Sequence, residues 1–167
     1  MVKFPNKPDL ETNLRKLAKE IIEYILELSG GAVFSKTKLV KLLYLLDYKL
    51  FREKGTTLTG LRFKSYFYGP YTEEIDSLLD ELVREGKIRI EQREALFEPV
   101  VYYEIRLLKK PTYRKLTDDL RQEIERILRP YIPLSLRDIL DEVYETEPFI
   151  NTDFGEEINF AKVSVQR

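Results

Sequence analysis

Apolar residues recur at helical spacing along most of this chain, and their phase predicts where each helix lies. Leu14, Leu17, Ala18, Ile21, Ile22, Ile25 and Leu28 share one face, which predicts a first helix from about Asp9 to Ser29. Asp9 is placed to cap it, Glu11 sits near its positive end, and Gly30-Gly31 ends it. Ala32, Val33 and Phe34 then form a short apolar bridge. Ser35 is the N-cap expected for a second helix that runs to Gly55. On that helix Leu39, Val40, Leu42, Leu43, Tyr44, Leu46, Leu50 and Phe51 cover more than half of the circumference, so it is expected to be buried on most sides. The remaining stripe holds Lys38, Lys41, Lys49 and Arg52, with Leu45 inside it. It reads either as a solvated face or as a docking surface for an acidic partner.

Asp47 breaks the pattern. It falls in the middle of the apolar arc, opposite the stripe. A buried carboxylate without partners costs several kcal/mol, roughly, so Asp47 needs hydrogen bonds or a cation. Arg62, Lys64, the hydroxyls of Tyr66 and Tyr68, and the amides of the Gly69-Pro70 turn are the candidate partners. Asp47, Gly69 and Pro70 are therefore read as a structural anchor rather than as catalytic groups.

Leu61 to Tyr68 alternates polar and aromatic residues, and its periodicity does not decide between strand and short helix. Thr72 is placed to cap a third helix whose apolar face is Ile75, Leu78, Leu79, Leu82 and Val83. Lys87–Gln92 and Val100–Leu108 predict a β-hairpin. Thr117 caps a further helix with Leu120, Ile124, Ile127, Leu128 and Tyr131, and Pro133 breaks the chain. Ser135 with Asp138 resembles a capping box for a last helix that Pro148 stops. Phe154, Ile158, Phe160 and Val163 give the tail apolar residues with which to pack. The fold class is mainly α with one β-hairpin, a compact helical domain with a winged-helix-like order of elements, and 167 residues suit a single domain.

Composition narrows the chemistry. There are no cysteines and no histidines, which removes disulfides, Cys/His zinc sites and Ser–His or Cys–His catalysis. There is no phosphate-cradling glycine loop, so no cofactor and no enzyme activity are expected. No apolar run reaches membrane-spanning length and no leader precedes the first helix, which points to the cytoplasm. Abundant Lys and Glu with few thermolabile residues suit a thermophile. Net charge is −1, so the overall balance lends no support to nucleic-acid binding. A winged helix would use the third helix in the major groove, yet its outer face is mostly Asp and Glu. Only Arg84, Lys87, Arg89 and Arg93 favour DNA there. Protein binding remains, with Tyr66, Tyr68 and Tyr71 as candidate contacts beside Lys38, Lys41, Lys49 and Arg52. The aromatic run, which also holds Phe63 and Phe67, can equally fill the core.

Three blocks carry a likeness to a known family: Lys38-Leu39-x-Lys41-Leu42-Leu43-Tyr44-Leu45-x-Asp47, then Gly55 with Leu58-Thr59-Gly60, then Phe63 with Tyr68-Gly69-Pro70. Together they resemble the SocA-like, or Panacea, antitoxin-domain family, which includes phage-associated GepA-type proteins. The match is good over about residues 14–90, and residues 111–167 are expected to pack on that part. Val143 to Phe149 is similar to the family's late motif, which commonly carries a His and often a Trp, and this chain has neither. The resemblance implies a mainly helical antitoxin that neutralises a cognate toxin by direct contact, the toxin coming from an adjacent gene. One relative hands its toxin to a protease, so an adaptor role is implied too. Some relatives carry added DNA-binding segments, and a winged-helix regulator is the alternative reading.

Overall fold

The computed structural model describes residues 7–97 and 99–162. Helix α1 (Lys7–Leu28) leads to a short strand β1 (Ala32–Val33) and to helix α2 (Lys36–Lys54). A small hairpin, β2 (Lys64–Tyr66) and β3 (Gly69–Tyr71), precedes α3 (Glu74–Arg84). The longer hairpin is β4 (Ile88–Glu94) and β5 (Val101–Leu107), followed by α4 (Asp118–Leu128), α5 (Leu136–Tyr144) and the single turn α6 (Glu147–Ile150). Strand β1 pairs antiparallel with β5, giving a three-stranded sheet ordered β1-β5-β4. The fold is therefore mainly helical with small antiparallel sheets.

Side-chain caps open three of the helices, α2, α4 and α5. Ser35 Oγ accepts the Lys38 amide at 3.1 Å, Thr117 Oγ1 that of Leu120 at 3.3 Å, and Ser135 Oγ that of Asp138 at 3.2 Å. Gly55 ends α2 with φ 76°, a left-handed conformation that glycine adopts without steric cost.

Every residue of α2 from Leu39 to Tyr48 is buried, and α2 is the axis of the core. Ile21, Ile22 and Ile25 of α1, Leu78 and Leu82 of α3, Ile124 and Leu128 of α4, and Ile139 and Val143 of α5 close around it. The tail completes one side. The Ile158 amide donates to Phe63 O at 2.7 Å and the Ser65 amide to Glu156 O at 3.0 Å, so the tail runs along β2 as an added edge. Phe160 reaches the rings of Tyr44 and Phe63 at centroid distances of 5.5 and 6.2 Å.

Several local expectations change. Helix α1 starts two residues before Asp9, so Asp9 lies in its first turn rather than at its cap. Leu14 and Val83 are exposed, each at the edge of its helix's apolar face. Pro148 does not stop α5, which has already ended at Tyr144. It opens α6, where a residue without an N–H is tolerated. Phe154 stays outside the core, and Val163 lies outside the described residues.

Candidate partner-binding surface

Asp47 is fully buried and its role is local to the turn after α2. It accepts the amides of Leu58 at 2.9 Å and Thr59 at 3.0 Å, and the Thr59 hydroxyl. Burial pushes its carboxyl above the ordinary range, and those hydrogen bonds pull the other way. None of the partners foreseen for it is used. The anchored loop is Leu58-Thr59, not Gly69-Pro70.

Gly69-Pro70 is held instead by Lys41. That side chain is buried and its Nζ donates to Pro70 O at 2.6 Å. Burial lowers its pKa to about 8. The basic stripe is thus not a continuous solvated face: Lys41 is buried, and Lys38 and Lys49 are half-buried where α4, α5 and the segment between them pack on α2. Lys38 Nζ donates to Ile132 O at 2.9 Å, and Lys49 lies between the rings of Tyr48 and Tyr131 at 5.9 and 6.0 Å. Of the four, Arg52 alone is exposed, with Nη1 on the Tyr48 hydroxyl at 3.0 Å.

The aromatic run divides by position. Phe63 is in the core. Tyr66 and Tyr71 are half-buried, their hydroxyls donating to Glu73 at 3.1 Å and Asp76 at 3.4 Å. Phe67 and Tyr68 form the turn of the β2-β3 hairpin and are 83% and 73% exposed. Phe154 of the tail leans on the same tip, its ring centroid 4.6 Å from Phe67 and 5.9 Å from Tyr66. Behind the tip Gly69 has φ 91° and packs closely: a Cβ there would lie 3.3 Å from the Tyr144 ring and 3.4 Å from Lys41 Cε. The tip is therefore an outward aromatic cluster on a rigid base of β-pairing, tail and α5.

Sequence reasoning missed Phe154 as part of this cluster. Nothing local distinguishes it from Ile158 and Phe160, which turn inward. A second exposed apolar spot, Leu96 and Phe97 at the end of the β4-β5 hairpin, was also missed. Two adjacent large apolar residues in a predicted loop were the available signal.

A family model described as antitoxin SocA-like, Panacea domain, matches residues 39–149, from the buried core of α2 to the turn after α5. The chain belongs to the SocA-like Panacea family. No curated protein and no solved structure matches it. The Panacea match supports an antitoxin-type role.

Within the Panacea match, the late motif ties the C-terminal helices to α2: Thr146 Oγ1, buried, lies 2.7 Å from the Tyr44 hydroxyl and donates to Val143 O at 2.7 Å. Among the residues a DNA-binding reading would use, most are already paired. Lys87 meets Glu85 at 3.0 Å, Arg89 meets Glu91 at 2.9 Å, and Arg93 meets Glu91 at 2.8 Å and Glu104 at 2.5 Å. Arg84 has no carboxylate partner among the described residues. No helix among the described residues is long and apolar enough to cross a membrane.

Proposed function

We propose that this protein is an antitoxin that neutralises a cognate toxin by direct contact, with the Phe67-Tyr68-Phe154 tip as the principal contact. The observation that carries the reading is the conjunction of the Panacea match with an exposed aromatic tip on a stiff base. Large aromatics supply much of the energy of protein interfaces, because they bury wide areas at small entropic cost. A base fixed by Asp47, Lys41 and the tail would present the rings without further ordering cost on binding. Tyr66 and Tyr71 would flank the tip.

The test is co-expression with the product of the adjacent gene. Relief of that product's toxicity and co-purification of the two proteins support the proposal. A toxic neighbour that is neither relieved nor bound removes it. Handing the toxin to a protease is a finer version of the same reading, and it requires the toxin's half-life to shorten when this protein is present.

The winged-helix regulator is favoured by one feature, the β4-β5 hairpin that follows α3 and is joined at β5 by β1. Against it stand the acidic outer face of α3 and the carboxylates that already neutralise Lys87, Arg89 and Arg93. A tight, salt-sensitive and sequence-specific gel shift on the upstream region would reverse this preference.

A further inference from the structure

Several cations of this protein have no carboxylate partner among the described residues, and five of them line one cleft. A cleft of about 600 Å³ lies between α1, the start of β4 and the segment joining β5 to α4, with seven cations and three carboxylates on its walls. Two of the carboxylates are engaged. Glu20, buried, accepts the amides of Arg114, Lys115 at 3.0 Å and Leu116 at 3.4 Å. Glu85 pairs with Lys19 at 2.6 Å and Lys87 at 3.0 Å. Glu23 is buried at the wall, where Lys87 opposes its charge. Five cations have no carboxylate partner among the described residues: Lys16, Lys109, Lys110, Arg114 and Lys115. That is an uneven distribution for a chain whose net charge is −1.

The wall that carries four of them is held in place. Besides the three amides on Glu20, the Tyr113 hydroxyl donates to Glu27 at 2.5 Å and its ring meets Tyr24 edge-on at 5.6 Å. The cations therefore stand around a preformed cleft rather than on a wandering loop, and their mutual repulsion is relieved when an anion enters.

We propose that this cleft binds a small oxyanion carrying several phosphate groups, of the di- or triphosphate type, between Lys16 on α1 and the cations of residues 109–115. Its volume suits a small ligand. Lysines act as point charges on phosphate oxygens, and Arg114 adds a planar pair of donors. Among the described residues no aromatic ring lines the cleft to stack a base and Pro111 is its one large apolar contact, so the phosphate chain rather than a nucleobase or a peptide side chain is what it would recognise. The site is separate from the aromatic tip and does not rest on the antitoxin reading.

The test is calorimetric titration of the whole protein with inorganic tripolyphosphate at about physiological salt. Saturable one-site binding is expected, weakened at least about tenfold in the Lys16→Glu/Lys110→Glu double variant. Both substituted side chains are exposed and unpaired, so the variant should melt with the wild type. ATP should bind about as tightly as tripolyphosphate, and adenosine should not bind, because the phosphate chain is what the cleft reads. Absence of saturable binding, binding that the double variant retains, adenosine binding, or equal affinity for an oligoglutamate peptide would overturn the proposal.

Discussion

Asp47 and Lys41 lie on one helix, and each holds a different loop. Asp47 collects two amides and a hydroxyl from Leu58-Thr59, while Lys41 reaches the Pro70 carbonyl. Replacing Asp47 by Ala leaves those amides without a partner inside the protein. Chemical denaturation should then show a loss of about 2–4 kcal/mol. Asp47→Asn keeps an acceptor oxygen and sheds the buried charge, so its loss should be clearly smaller. Equal losses for the two variants would mean that packing, not hydrogen bonding, is what Asp47 supplies. Lys41 makes a prediction in pH. Its folded pKa of about 8 lies below the ordinary 10.5, so in this window the unfolded chain holds more protons than the folded one. Stability from this group therefore rises as pH increases from about 8 towards 10.5, by up to about 3 kcal/mol. Lys41→Met should lack that rise, and parallel stability–pH curves for the two proteins would contradict it.

The β2-β3 hairpin shows how an element converts these anchors into a surface. Gly69 follows its turn with φ 91°, and a Cβ there would press on Tyr144 and Lys41. Gly69→Ala should cost about 1–3 kcal/mol, because an L side chain resists that φ and the neighbours must shift. A melt within error of wild type would show that the turn readjusts. The helices were largely legible in the sequence, since apolar period and Ser or Thr caps are local signals, and Ser35, Thr117 and Ser135 all accept the amides expected of them. The missed features are non-local. Two residues of β1 carry no periodicity of their own, and only pairing with Arg106 and Ile105 makes them a strand. The tail becomes an edge of β2 through backbone bonds that any side chain permits. Pattern reading counts lysine as polar and so places Lys41 on the basic stripe. Its long apolar stem lets it cross the core to a single carbonyl. The aromatic run could not be divided from sequence, because which rings face out depends on the hairpin turn falling at Phe67-Tyr68.

At the scale of the molecule, the core is built around α2, and its exposed features occupy separate elements. The aromatic tip stands on β2-β3, five cations without a carboxylate partner line the cleft beside α1, and the β4-β5 hairpin carries arginines whose charges are met by Glu91 and Glu104. That internal pairing leaves little free charge for phosphates at the place where a winged helix would need it. Phe67 and Tyr68 are mostly in solvent, and the ring contact of Phe67 is with Phe154, itself exposed. The Phe67→Ala/Tyr68→Ala double variant should accordingly lose no more than about 1.5 kcal/mol of stability, the worth of that ring pair. The decisive measurement is the affinity of that variant, compared with wild type, for the cognate toxin that the proposed function assigns to the adjacent gene. Contact through the tip predicts a loss of at least about 100-fold, some 2.7 kcal/mol, with rescue of growth lost in parallel. A variant that binds and neutralises the toxin as the wild type does would contradict the account.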